Sequence, residues 1–400
     1  MNVELSKGRK ILMYISIFLT SIAVMGEMGI MPFVYDLYGA FDNAMAVNFI
    51  VSGSALFVLL GSLLFTWLMH KFEKKQLLLV STIIFCVSSI FCAAVNNVYY
   101  ICVMRAFMGL GEGATNAVIM AYIAQVFLEE DKRAAFMGYY NAAMTGFAII
   151  MSYASGVLAS VSWQNAFKLY IPSVLMIIGV LLFVPQVGVL EEEESAGKNQ
   201  SGKKEPLGKL FIFFIVDYVI FTWMYAIMSY YVSAYVAENG MGGAYYAGIL
   251  TSLTQVGGFV CALLFGKVYA KLKKNTSILC IVIVGAALIL MYFVRTNAVA
   301  VVASLLIGGL YGMYFAYSYA YVAEIVPVSR IDDAIGYTTA IYGVAFFVFP
   351  YIAGFAASVL SSDGAYTPVF LLIGIIGVIP LILEIISGKD YKKMMSEKTR

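Results

Sequence analysis

Twelve stretches of mostly apolar residues follow one another along the chain, at 11–34, 45–69, 77–95, 98–127, 134–160, 166–184, 210–236, 244–270, 277–294, 298–326, 334–359 and 368–386. Each is close to or above the roughly 20 residues that carry a helix across the hydrocarbon core of a bilayer. Only 12% of the residues are charged, against about a quarter in a soluble domain, so a water-soluble fold is excluded. The stretches show no period-2 alternation and exceed the length of barrel strands, which makes the chain an all-α polytopic membrane protein. Lys7, Arg9 and Lys10 precede the first stretch, which reads as an uncleaved first helix rather than a signal peptide.

Basic residues are retained on the cytoplasmic side of short loops. With the N-terminus inside, the inside segments hold Lys7, Arg9 and Lys10, then Lys71, Lys74 and Lys75, Lys132 and Arg133, Lys198, Lys203, Lys204 and Lys209, Lys267, Lys271, Lys273 and Lys274, Arg330, and Lys389 to Arg400. Only Arg105, Lys168 and Arg295 fall elsewhere. Both termini are therefore expected in the cytoplasm of a cell whose inner membrane holds the chain. The cysteines Cys86, Cys92, Cys102, Cys261 and Cys280 all lie in apolar stretches without a CxxC pair, and read as small core residues rather than ligands. No cofactor and no metal are expected. A net charge of +2 points to no nucleic-acid partner. The expected partners are a small-molecule solute, protons and the lipid bilayer, with the protein acting as a monomer.

A polar, turn-rich segment over 189–208, with Glu191 to Glu194 in it, divides the chain into halves at 1–188 and 209–400. The halves repeat one another. At an offset of 200, Leu63, Leu64, Phe65, Lys71, Lys74 and Leu79 recur as Leu263, Leu264, Phe265, Lys271, Lys274 and Leu279. A second match pairs Tyr122-Ile123-Ala124-Gln125-Val126 with Tyr321-Val322-Ala323-Glu324-Ile325. Repeats related by an axis along the bilayer normal place substrate at the interface of the halves near mid-membrane.

These residues resemble the major facilitator superfamily over nearly the whole chain. Between spans two and three that family usually carries Gly-x-Leu-Ala-Asp-Arg-x-Gly-Arg-Arg. The window here is Thr66-Trp67-Leu68-Met69-His70-Lys71-Phe72-Glu73-Lys74-Lys75, which keeps the basic residues and puts His70 at the Asp place. An Arg-x-x-x-Gly-x-Gly-x-Gly motif of the fourth span is intact as Arg105, Gly109, Gly111 and Gly113. The resemblance implies twelve transmembrane helices as two pseudo-symmetric six-helix bundles, and a secondary transporter working by alternating access. It also implies that His70, Lys71, Lys74 and Lys75 belong to a gating loop, and that spans one, four, seven and ten line a central cavity. The Gly-Pro and Gly-Gly motif of many drug/proton antiporters is absent from 142–156, where Gly146 and Gly156 remain.

Ionisable groups inside the membrane cost roughly 2.5–3.5 kcal/mol each even on insertion scales, so each is a functional candidate. Glu27, Glu112 and Asp217 are the acids well inside spans and Arg105 the base. Counted along straight helices, Glu27 and Arg105 fall in the outer part of the bilayer, Glu112 and Asp217 in the inner half. Arg105, Gly109, Glu112 and Asn116 share one helix face, and Ser16, Thr20 and Glu27 share another, which suggests two polar stripes along one wet cavity. Glu27, Glu112 and Asp217 are therefore candidate proton-coupling groups. Arg105, Asn116, Trp223, Tyr311, Phe315 and Ser318 are candidate cavity residues. The aromatic content of spans seven and ten favours an amphipathic or aromatic cargo. Ser304 stands where the repeat would place a second Arg105, which disfavours anionic phosphates.

These features favour export of amphipathic compounds in exchange for protons. Proton-coupled uptake of a small nutrient is the alternative, although Asn116 and Gln255 are few amides for a sugar carrier. A non-transporting sensor on the same fold is a further alternative. An enzyme is not expected, because HExxH and Gly-x-Ser-x-Gly are absent and the chain has a single His.

Overall fold

The computed structural model describes residues 6–127, 130–186, 207–327, 330–384 and 386. Its helices are α1 (Lys7–Leu19), α2 (Ser21–Val24), α3 (Val34–Ala40), α4 (Ala44–Leu68), α5 (Lys74–Ile90), α6 (Val98–Val126), α7 (Glu130–Ala159), α8 (Trp163–Ala166) and α9 (Val174–Phe183). They continue as α10 (Lys209–Glu238), α11 (Ala244–Leu272), α12 (Asn275–Phe293), α13 (Asn297–Ile325), α14 (Ile331–Leu360) and α15 (Thr367–Ile376). Polar caps set where the long helices begin. Asn43 accepts from the Ala46 N–H, Asn97 from Tyr99 and Tyr100, and Thr296 from Val299, each satisfying backbone donors that the first turn leaves free. No strand occurs among the described residues.

Two compact units divide the chain, Met1–Gln200 and Ser201–Arg400. Most of the 189–208 segment, including the acidic run, lies outside the described residues. Nine helical stretches of the described residues are long and apolar enough to cross a membrane, and a bent pair over Lys7–Val24 and Gly26–Ala40 makes a tenth. The other two sequence stretches correspond to α5, one of whose ends is cut short at 17 residues, and to α6, whose hydropathy is lowered by Arg105, Glu112, Asn116 and Gln125. In α6 those polar groups are turned largely inward, so a span that composition marks as weak is one of the better buried helices of its unit.

The first span is broken where a straight helix was expected. After α2 the chain makes a 3-10 turn at Gly26–Gly29 and another at Met31–Phe33 before α3 begins, and the two segments meet at 59°. The carbonyls freed by the break find side-chain donors: Tyr170 Oη donates to Gly26 O at 2.6 Å, Ser152 Oγ to Met28 O at 3.4 Å, and Ser155 Oγ to Gly29 O. Irregular backbone at membrane depth persists only where such partners replace water.

Within each unit one pair of helices makes its tightest backbone contact through glycine. In the first, a Cβ on Gly113 of α6 would stand 1.9 Å from Val58 O of α4; in the second, a Cβ on Gly308 of α13 would stand 1.9 Å from Thr254 O of α11. The pairs α4 with α6 and α11 with α13 occupy matching places in the two halves. Small residues at a helix contact are the usual way of bringing two membrane helices together. Elsewhere the spans expose large apolar side chains such as Leu63, Ile150, Leu182, Leu263 and Phe355, as a lipid-facing surface requires.

Candidate functional site

In the first unit the break at Gly26 brings Glu27 to the same level as the polar side chains of α6. Arg105 is fully buried. Its Nε donates to Ile50 O at 2.8 Å and its Nη2 to Ser54 Oγ at 2.8 Å, both on α4, while its Nη1 lies 3.3 Å from Met108 Sδ. Ser54 in turn donates its hydroxyl hydrogen to Glu27 Oε1, and Arg105 Nη2 stands 3.8 Å from that same oxygen. Ser54 therefore relays the guanidinium to the carboxylate. The Glu27 side chain keeps 18% of its surface exposed, against none for Arg105. Glu112, about two turns from Arg105 along α6, is 7% exposed. The Glu27 backbone N–H faces its carboxyl group, and its Oε2 has no hydrogen-bond partner among the described residues. The structure thus brings together Glu27, Glu112 and Arg105, three of the residues singled out by sequence, although a straight-helix count had put the two acids at different depths.

The stripe expected on the first span is not a wet face. Ser16 is buried with its hydroxyl on Leu12 O, and Thr20 is buried against Tyr140 Oη at 2.9 Å. Both are buried in helix packing, Ser16 against Gly179 of α9 and Thr20 against α7, so of that stripe Glu27 alone stands beside Arg105 and Glu112. Asn116 is half-buried, with Oδ1 unpartnered among the described residues.

In the second unit Asp217 of α10 accepts from Tyr314 Oη of α13 at 2.9 Å through Oδ2. Trp223 donates from Nε1 to Ala345 O at 3.1 Å. Tyr311 stacks on Tyr225 at 3.6 Å between ring centroids, 9° from parallel, and donates to Tyr342 Oη at 2.6 Å. Phe315 is tilted beside Tyr311 at 6.2 Å and is 37% exposed. Ser318 does not join them: it is buried with its hydroxyl hydrogen on Phe315 O. Ser304 and Gly308 of the same helix also pack inward, Ser304 onto Ala300 O.

The loop motif separates into two kinds of lysine. His70 and Lys71 are exposed, with Lys71 Nζ 3.9 Å above the Trp67 ring, and Lys75 is half-buried. Lys74 is fully buried and donates to Gln125 Oε1 at the far end of α6. Its repeat mate Lys274 is buried too and pairs with Glu384 Oε2 at 2.9 Å. Sequence reasoning missed Ser54, Tyr314 and Glu384. Serine and tyrosine are common in apolar spans and carry no signal alone. Glu384 lies within two residues of the end of its span, where an acid reads as reaching loop water; the buried Lys274 is what identifies it. No group of three His, Cys, Asp or Glu able to hold a metal occurs among the described residues.

A profile of the Major Facilitator Superfamily matches residues 16–316 and 247–391. Over 162 residues the chain is 26% identical to a galactose-proton symporter of Escherichia coli (strain K12), which covers 39% of this chain and 33% of the symporter. The matched stretch is thus about a third of that relative's length. Among solved structures, a bacterial homolog to the human lysosomal transporter Spinster, inward-facing and occupied, superposes with a TM-score of 0.79 at 12% identity, covering 98% of this chain and 99% of the other. A D-xylose-proton symporter superposes with a TM-score of 0.74 at 16% identity, over 93% and 97% of the two chains. At these identities the two structures bear on fold alone.

Proposed function

Because the chain belongs to the Major Facilitator Superfamily, we propose that it is a secondary transporter of a cytoplasmic membrane, with both termini inside, that takes up a small uncharged nutrient together with protons by alternating access. The observation that carries this reading is the Arg105–Ser54–Glu27 relay with Glu112 beside it. A partly exposed carboxylate whose counter-charge is fixed by two further hydrogen bonds can gain and lose a proton without unfolding its surroundings. Protonation weakens its hold on the guanidinium and so changes the relative energy of two conformations, which is all that coupling requires.

The curated relative is named as a galactose-proton symporter, which supports uptake; nothing in that name supports the export of aromatic compounds that the aromatic content suggested. The scarcity of Asn and Gln weighs less against a sugar once tyrosine is counted. Tyr225 and Tyr311 stack and Tyr311 is hydrogen-bonded to Tyr342, an aromatic, hydroxyl-bearing group of the kind that takes a sugar by ring faces and hydroxyls together. Purified protein in liposomes with the outside more acidic should accumulate labelled galactose, xylose or another neutral solute of a small panel, and a protonophore should abolish the accumulation. A protein that moves none of the panel and only binds a member of it is a sensor on this fold, and the transport reading fails.

A further inference from the structure

The second unit holds a buried charge cluster that the Glu27 relay does not use. Lys274, at the start of α12, is 8% exposed, Glu384 of the last span 7%, and Asp217 of α10 3%. Lys274 Nζ lies 2.9 Å from Glu384 Oε2, and Ser277 Oγ donates to Glu384 Oε1 at 2.7 Å. Asp217 Oδ2 takes the Tyr314 hydroxyl, and Asp217 Oδ1 is buried with no hydrogen-bond partner among the described residues. Both acids line one small cavity together with Leu210, Phe213, Phe214, Tyr321 and Leu383, with room for about one water.

The charges in this cluster do not balance. Two carboxylates face one ammonium, and a buried charge left over is costly unless a further ion or proton neutralises it. Among the described residues the other titratable groups around Asp217 are Tyr218 on its own helix, Tyr314, Tyr317 and Tyr321 on α13, Cys280 on α12 and Tyr269 on α11, with Tyr342 of α14 against Tyr218. None of them supplies a positive charge. A metal cation is disfavoured by the ammonium already inside, and the cavity offers no more space than one water.

We propose that Asp217, Glu384 and Lys274 form a second proton-binding site, in which one proton on Asp217 Oδ1 completes the neutralisation of two carboxylates around one ammonium. The Lys274 ammonium stands against Glu384 Oε2 and Ser277 donates to Oε1, whereas the donor to Asp217 among the described residues is a neutral hydroxyl, so the proton is placed on Asp217. The bound proton faces the cavity, where a single water can receive it. The site goes beyond the uptake reading and does not depend on it, since proton binding here needs neither solute nor gradient.

The test is infrared difference spectroscopy of the full-length protein in lipid at neutral pH, reading the carbonyl stretch of protonated carboxyl groups. Asp217→Asn should remove one component of that band. Glu384→Gln should remove the same component although Asp217 is still present, because Asp217 then pairs with Lys274 as a neutral ion pair without a proton. Glu27→Gln should leave it in place. Tyr314→Phe should keep the component and move it to higher frequency, since it takes a hydrogen bond from the carbonyl oxygen only; this milder change serves if a variant at Asp217 fails to elute as a folded protein. An unchanged band in Asp217→Asn, persistence of the component in Glu384→Gln, or its loss in Glu27→Gln would each overturn the proposal. Loss of solute uptake with these spectra intact would instead count against the transport reading.

Discussion

Glu27→Gln is expected to stop gradient-driven accumulation while sparing exchange. Glutamine keeps the shape of the side chain and can still accept from Ser54, but it carries no proton that can be exchanged. Arg105 retains its bonds to Ile50 O and Ser54 Oγ, so the buried guanidinium stays satisfied and the first unit should fold. Uptake driven by a pH gradient should fall by at least about tenfold, equivalent to roughly 1.4 kcal/mol. Counterflow of labelled against unlabelled solute involves no net proton movement and should be much less affected. The exposed Asp42 provides a control in Asp42→Asn, which should leave both assays unchanged. Equal loss of uptake and counterflow in Glu27→Gln would make the residue structural or a solute ligand, and Glu112 would then be the group to test.

The second large effect is expected at the glycine contacts. A methyl group on Gly113 meets Val58 O at 1.9 Å, and one on Gly308 meets Thr254 O at 1.9 Å. Both obstacles are backbone atoms of a neighbouring helix and cannot rotate away. Overpacking usually costs about 1–3 kcal/mol and more where nothing can yield, so Gly113→Ala and Gly308→Ala should each lie at or above the top of that range. The thermal midpoint of the protein in detergent, followed by size-exclusion chromatography, reads the effect. Gly146→Ala is the control: it lies in α7 with nothing within 4 Å of the added carbon, and alanine is favoured over glycine in a helix by about 1 kcal/mol. Similar midpoints for all three variants would mean that α4 with α6 and α11 with α13 tolerate separation.

What the sequence shows and what it hides follow from how local each feature is. Hydropathy is a sum over neighbours, so the spans, the division into halves and the all-α class are legible directly. Lys74 and Lys274 are legible as a repeat, but their burial is not, because a lysine beside a loop reads as solvated until a partner on another helix is known. Arg105 and Glu112 stand out by depth. Their meeting with Glu27 does not, since counting at a constant rise assumes a straight first span, and only Gly26, Gly29 and Pro32 hint at the bend. Ser16 and Thr20 share a face by periodicity, but that α9 and α7 cover this face is not legible locally. Ser318 reads as a cavity residue from its place in the tenth span, which does not tell what its side chain packs against.

Proton movement accompanying solute entry tests the central claim most directly. Proteoliposomes with a weakly buffered lumen, a trapped pH indicator and no initial gradient receive the solute that accumulates in the uptake panel. The account predicts that the lumen acidifies on addition of the solute, and that Glu27→Gln abolishes the acidification while the solute still equilibrates. Solute entry without a pH change, or with alkalinisation of the lumen as proton exchange would give, contradicts it.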